Sequence, residues 1–343
     1  MSIKNKPISS PEFSSPRHDI FPSRKHLLDL DDFTAPEIER VLDQSKAMKE
    51  ILCRDIRKVP VLRGKTIVTA FFEPSTRTRV SFETAGKILS ADVINISGAG
   101  SSIEKGESLL NTGLTLQAMK ADVLVMRHPH SGAPYFLARK IGTRIINAGD
   151  GSHAHPTQSL LDLYTIRDHF STFSNLKVVI VGDVLYSRVA RSNLWGLALM
   201  GATVVLCGPP TLIPRDFIND DFKYKKHPFS RINIEHDINI ALENADVVMP
   251  LRLQKERQHG GHLPTMREYS KLYGINRQRL ALAKPGTLVM HPGPMNEGVE
   301  IDTDVAHGVQ SVIEEQVTNG VAVRMAILYG MSTANGEHEN KNA

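Results

Sequence analysis

Cysteine is almost absent. Cys53 and Cys207 are the only two in 343 residues, and they lie far apart. Two thiols cannot complete a four-ligand zinc site, and a reduced, cytoplasmic protein is the simplest expectation. Long apolar runs are also missing: none approaches the roughly 18 residues of a membrane span, so no membrane partner is expected. Neither charge sign dominates, with 41 Lys and Arg against 37 Asp and Glu and a net charge of +4. No basic block is interleaved with aromatics, which argues against a nucleic-acid face. No internal repeat is visible. Residues Met1 to about Ser23 lack an apolar h-region, so a secretory signal is not expected; an organellar presequence stays open as a weak alternative, since Glu12 and Asp19 are acidic and arginines are few. Rich in Ser, Pro and Lys, this stretch reads as a flexible tail. With 41% hydrophobic and 23% charged residues, the chain has the balance of a soluble globular protein of about two domains.

What is present is a steady alternation. Leu27, Leu28, Leu30, Ile38, Val41 and Leu42 read as a first amphipathic helix, with Thr34–Glu37 as its capped start. Apolar strands read at Thr66–Phe72, Val93–Ile96, Val123–Met126 and Arg144–Ile146. Helices fall between and after them, at about Arg77–Leu89, Ser108–Met119 and Ala133–Ile141. The rhythm then repeats: strand Val178–Val181, helix Arg188–Met200, and strands Val204–Cys207, Val247–Pro250 and Leu288–Met290. Thr157–His169 reads as a helix connecting the two halves. This pattern predicts an α/β protein of two doubly wound parallel-sheet domains. In such sheets ligands bind beyond the carboxyl ends of the strands, and each polar cluster below falls at such an end.

The densest cluster is Phe71–Glu83. Pro74 ends a buried strand, Ser75 and Thr76 are good N-caps, and Val80, Phe82 and Ala85 continue at helical spacing. A strand–turn–helix junction aims free N–H groups and the positive helix end at one spot. Ser75, Thr76, Arg77, Thr78 and Arg79 surround it, a site suited to a phosphate-like dianion without a Gly-rich loop. The ordinary alternative is a capped helix with a solvated basic end. Arg127 ends the third strand, placed to fork onto a phosphate or carbonyl oxygen, or to form a surface ion pair; His128 beside it reads as structural. His153 and His155 form a His-x-His pair, but no further ligand follows at metal spacing. Val181–Ser192 lacks the Gly-x-Gly-x-x-Gly of a dinucleotide turn. After strand Val247–Pro250, alternation puts Arg252 and Gln254 on one side, where the pair can hold a carboxylate; His259 and His262 beyond them read as a loop tip. No Cys or Ser is paired with an activating base, so no covalent nucleophile is expected.

Ser75-Thr76-Arg77-Thr78-Arg79, followed by His155-Pro156-Thr157-Gln158 and His291-Pro292-Gly293-Pro294, resembles the aspartate/ornithine carbamoyltransferase family, and the likeness runs from about Lys25 to Tyr329. Arg252, Gln254 and Arg257 match the Arg-x-Gln-x-x-Arg of the family's aspartate branch, and the ornithine branch's His-Cys-Leu-Pro is missing. The resemblance implies transfer of the carbamoyl group of carbamoyl phosphate to the amine of L-aspartate, in pyrimidine (UMP) biosynthesis, with no cofactor and no metal. It implies that Ser75, Thr76, Arg77, Thr78 and Arg127 hold the phosphate. Arg77, Thr78, Arg127 and His155 are the implied catalytic residues, and Gln158, Pro292 and Gly293 hold the carbamoyl NH2. Arg188, Arg252 and Gln254 would bind aspartate, aided by Lys105. Ser101 and Lys105 would come from a neighbouring subunit of a homotrimer. The implied organisation is a tail at 1–24, a carbamoyl-phosphate domain at 25–156 with a C-terminal helix at 311–331, an aspartate domain at 157–310 and a tail at 332–343. The active site would lie in the interdomain cleft. A regulatory chain or a dihydroorotase is compatible as a further partner. Glu297 departs from the family, which commonly has Arg there. A different amine acceptor such as ornithine, a non-catalytic scaffold and a phosphate sensor stand as rival readings.

Overall fold

A computed structural model describes residues 20, 21, 24–98, 106–214, 227–254 and 265–333. Ser101, Lys105, Arg257, His259 and His262 lie outside the described residues. The chain folds around two parallel sheets. The first half runs α1 (Ala35–Leu52), β1 (Thr66–Phe71), α2 (Thr76–Ile88), β2 (Asp92–Ser97), α3 (Leu109–Ala118), β3 (Val123–His128), α4 (Ala133–Ala138) and β4 (Arg144–Asp150). Its sheet has the order β2-β1-β3-β4. After α5 (Pro156–His169) come β5 (Lys177–Val181), α6 (Arg188–Leu199), β6 (Thr203–Cys207), β7 (Ile232–Glu235), β8 (Val247–Pro250) and β9 (Leu288–Val289). These five strands form the second sheet, ordered β7-β6-β5-β8-β9.

Each sheet grows first to one side of its opening strand and then to the other. The direction switches between β1 and β3 in the first sheet and between β5 and β8 in the second. At such a point two neighbouring loops diverge and leave a crevice at the carboxyl ends of the strands. The loops after β1, β3, β5 and β8 all contribute to one cavity, so the two crevices face each other.

The central strands are β-branched runs buried on both faces; β5 and β8 have no exposed residue. β2 is different. It is the sheet edge, and Ile94 within it is 51% exposed, so its apolar pattern does not mark a buried strand. α5 is buried from Pro156 to Ile166, around its whole circumference, because it lies between the halves. It packs on α1, α6, β4 and the C-terminal helix Ile313–Thr333, which also lies against α1 and α2.

Two features depart from the sequence pattern. Leu27 is not helical: it bridges Ile146 in parallel, and α1 begins only at Ala35, behind a capping box of Thr34 and Glu37. Ile20 and Phe21 fall inside the stretch expected to be tail, yet both are buried. Phe21 meets Phe33 edge-on at 6.3 Å, and Gly330 of the C-terminal helix has no side chain to block it.

Candidate active site

The anion end is built by α2. Ser75 caps the helix, its Oγ accepting from the Thr78 N–H at 3.4 Å. The first-turn N–H groups have no intrahelical acceptors and add the positive end of the helix dipole. Arg77 rises from this turn and donates through Nη1 to the Pro292 carbonyl at 2.8 Å, so it reaches from the first half to the loop after β9. Burial holds its pKa below the ordinary arginine value, and Asp162 opposes that shift. Gly293 makes the approach possible: it has φ +62°, and a Cβ there would run into the Arg77 guanidinium. Thr78 is buried beside it. Arg127, the next-to-last residue of β3, lies with Nη2 3.3 Å from Glu73.

The middle of the cavity is built by α5 and by the loop after β9. His155 is the N-cap of α5, 4% exposed, with Pro156 setting the first helical position. Its backbone N–H donates to Ser192 Oγ at 2.9 Å, and that hydroxyl donates to buried Asp29 at 2.9 Å. Gln158, one turn on, donates through Nε2 to Asp162 at 3.0 Å. Opposite, the Gly293 N–H donates to His291 Nδ1 at 2.8 Å, and the His291 N–H donates to Gln316 Oε1 at 2.8 Å. Burial lowers the pKa of His291 despite Glu300 at 3.4 Å.

The far end belongs to the second half. Arg188 opens α6 and is 4% exposed. Its Nη1 and Nη2 donate to the two oxygens of Glu73 at 2.8 and 3.0 Å, and Nη1 also donates to the Gly151 carbonyl at 3.2 Å. Arg252 and Gln254 alternate with buried Leu251 and Leu253. Asp183 anchors that strand end, accepting from the Gln254 N–H and the Tyr186 N–H, each at 3.1 Å.

Of the sequence-predicted site residues among the described ones, all but Arg79 line a single cavity of about 620 Å³, and Arg79 lines the neighbouring groove instead. Among the described residues, four arginines (Arg77, Arg127, Arg188 and Arg252) face one carboxylate there, Glu73. Such a cavity favours ligands carrying several negative charges. His153 is not part of it: its ring pairs with Asp150 at 3.2 Å and stacks edge-on against Tyr135. Glu297 lies outside the lining and pairs with His307 at 3.3 Å. Among the described residues no three His, Cys, Asp or Glu side chains gather as a metal ligand set.

Three residues were missed by sequence reasoning. Glu73 was read only as part of a turn, although an acid beside so basic a loop is a signal. It bridges Arg127 of the first half and Arg188 of the second. Asp183 lay in the Val181–Ser192 segment and was given no role there. Asp162 lay inside an apolar helix pattern, and only its buried polar neighbours reveal it.

The comparisons with known proteins agree with this geometry. Residues 25–168 match the carbamoyl-P binding domain, and residues 174–331 the Asp/Orn binding domain, of aspartate/ornithine carbamoyltransferases. The aspartate carbamoyltransferase catalytic subunit of Roseiflexus sp. (strain RS-1) is 59% identical over 309 residues, spanning 90% of this chain and 95% of that one. The same subunit of Chloroflexus aggregans is 57% identical over 310 residues, spanning 90% and 98%. Among solved structures, aspartate transcarbamoylase from Trypanosoma cruzi with N-(phosphonacetyl)-L-aspartic acid superposes with a TM-score of 0.80 at 30% identity, over 91% of this chain and 96% of that one. The catalytic subunit of M. jannaschii aspartate transcarbamoylase gives 0.77 at 37% identity, over 90% and 98%. With both domain models matched in order along nearly the whole described chain, this protein belongs to the aspartate/ornithine carbamoyltransferase family.

Proposed function

We propose that this chain transfers the carbamoyl group of carbamoyl phosphate to the amine of L-aspartate, giving N-carbamoyl-L-aspartate and phosphate, as a step of pyrimidine biosynthesis. The observation that carries this reading is the cavity with four arginines, divided between an anion-binding helix end in one half and a paired Arg252 and Gln254 in the other. A dianionic phosphate suits the first, and the two carboxylates of aspartate suit the second. The cationic side chain of ornithine would meet Arg252 instead.

Residues 25–156 with the C-terminal helix hold carbamoyl phosphate, and residues 157–310 hold aspartate. Ser75, Thr76, Arg77 and Thr78, with the first-turn N–H groups of α2 and Arg127, take the phosphate oxygens. Thr78, Arg127 and His155 donate to the carbamoyl oxygen as it gains charge. Gln158 Oε1 and the Pro292 and Gly293 carbonyls accept from the NH2. Arg188, Arg252 and Gln254 orient aspartate. Its amine attacks the carbamoyl carbon, the C–O bond to phosphate breaks, and the leaving phosphate takes the amine proton. Orientation supplies roughly 7–11 kcal/mol of the barrier and one oxyanion donor roughly 3–4, so a site made mostly of clamps is sufficient.

Glu73 pairs with Arg127 and Arg188 in the cleft. Arriving anions compete for the same guanidiniums, which couples binding in one half to the position of the other. Such coupling makes each substrate favour the other, and carbamoyl phosphate is expected to bind before aspartate. The chain acts as a homotrimer in which Ser101 and Lys105 of a neighbour complete the site. A second groove of about 750 Å³ on the other side of the Ser75–Thr76 turn supports access from outside the subunit. Free Cys53 and Cys207 support a reducing cytoplasm. The deciding assay is phosphate release from carbamoyl phosphate with aspartate, beside the same assay with ornithine. Release with aspartate alone is expected; release with ornithine alone would overturn the reading.

A further inference from the structure

An NH2 and a methyl group differ little in size, so preference for a carbamoyl group depends on acceptors aimed at its two N–H bonds. The cleft offers Gln158 Oε1 and the carbonyls of Pro292 and Gly293. Shape alone fixes neither set. A glutamine amide can be turned end for end, and its hydrogen-bond partners decide which end faces the ligand.

Those partners converge on Asp162. Its Oδ1 accepts from Gln158 Nε2 at 3.0 Å and from Gln316 Nε2 at 2.8 Å, and its Oδ2 accepts from Asn193 Nδ2 at 2.8 Å. Asp162 and Asn193 are fully buried, and Gln316 and Gln158 are 2% and 5% exposed. An ionised carboxylate only accepts, so all three amides must turn their nitrogens toward it. Gln158 therefore presents its oxygen to the cleft. Gln316 presents its oxygen to the His291 N–H at 2.8 Å, and His291 Nδ1 accepts from the Gly293 N–H at 2.8 Å. That relay holds the turn whose carbonyls face the cleft. Burial pushes the Asp162 carboxyl up to about 6, against the three amide donors and Arg324, so it is charged at neutral pH at a cost in stability. A leucine would fill this place more cheaply if packing were all it did.

We propose that Asp162 is the positioning residue for recognition of the carbamoyl NH2. It turns the Gln158 amide directly and the Pro292–Gly293 turn through Gln316 and His291. The inference rests on the carbamoyl-phosphate reading of the cleft.

The test is calorimetric binding to the full chain of carbamoyl phosphate, acetyl phosphate (methyl in place of NH2) and inorganic phosphate. In Asp162→Leu all three amides lose their shared acceptor, and nothing holds the nitrogens of Gln158 and Gln316 inward. Its Kd for carbamoyl phosphate is expected to rise about tenfold, the worth of one or two neutral hydrogen bonds, while the Kd values for acetyl phosphate and phosphate stay within about twofold. Equal weakening of all three ligands, or an unchanged preference for carbamoyl over acetyl phosphate, overturns the inference. Should Asp162→Leu not fold, Gln316→Leu, which removes the His291 limb and one of the three donors to Asp162 but leaves Gln158 on it, is expected to lower that preference about threefold; no change overturns the inference. A wild-type chain with no such preference overturns the carbamoyl-phosphate reading itself, and the inference with it.

Discussion

Arg77 is the side chain on which the two halves and the chemistry meet. It stands at the N-terminus of α2 and touches the Pro292 carbonyl across the cleft. Arg77→Ala is expected to lower kcat by about 10²–10³-fold, the usual loss for a fixed donor aimed at developing charge, here on the departing phosphate, while the urea midpoint moves little. Steady-state kinetics and denaturation on the same preparation check both parts. Asp162 makes the opposite kind of prediction, because its charge opposes folding. Its carboxyl titrates at about 6 in the fold against 3.8 as a free side chain, with burial as the main cause. Its folded pKa lies above the unfolded one, so its contribution to stability is fully present below 3.8 and is lost as pH rises through about 6. Asn cannot titrate. The stability of wild type relative to Asp162→Asn should therefore rise as pH falls from 7 to 5, with Arg77 and Arg324 remaining charged throughout. Urea unfolding of both proteins at the two pH values checks this, and a gap independent of pH would contradict it.

At the scale of elements, the site is a set of strand ends, and its precision depends on two backbone features. One is the Ser75 cap that starts α2 close against β1. The other is Gly293, whose positive φ and missing Cβ leave room for Arg77. Gly293→Ala is expected to displace the guanidinium and lower kcat over KM for carbamoyl phosphate at least tenfold, with less effect on thermal stability than a core truncation. Kinetics beside a melting curve decide it. These elements were legible in the sequence because their signals are local. Pro74, Ser75 and Thr76 mark one strand–helix junction, and His155-Pro156 marks another. Leu27 and Leu30 were misread because three leucines in four residues fit a helix as well as an extended edge, and the choice fell to the Ile146 backbone beside them. The β2 strand was read as a strand and is one, but its place at the margin, with Ile94 exposed, follows from the sheet order and not from its apolar residues.

For the whole molecule, the proposal of shared sites predicts complementation. Inactive Lys105→Ala and His155→Ala chains, mixed and allowed to exchange subunits, should regain part of the activity, because some sites then draw both intact residues from different chains. No recovery after verified exchange would argue for self-contained sites. The facing crevices also account for how much could be read in advance. Each cleft residue lies at the carboxyl end of a strand or at a helix start, and strand–helix alternation alone locates those ends. Glu73 and Asp162 escaped because their meaning is in their partners, Arg188 at 115 residues' separation and Gln316 at 154. The sequence by itself determined the α/β class, the parallel sheets and the chemistry of each loop, since hydrophobic period, capping and charge act over a few residues. Only the tertiary structure decided which carboxylate holds which arginine or amide, because that depends on side chains distant in the chain being buried together, where an unpaired charge is too costly to leave.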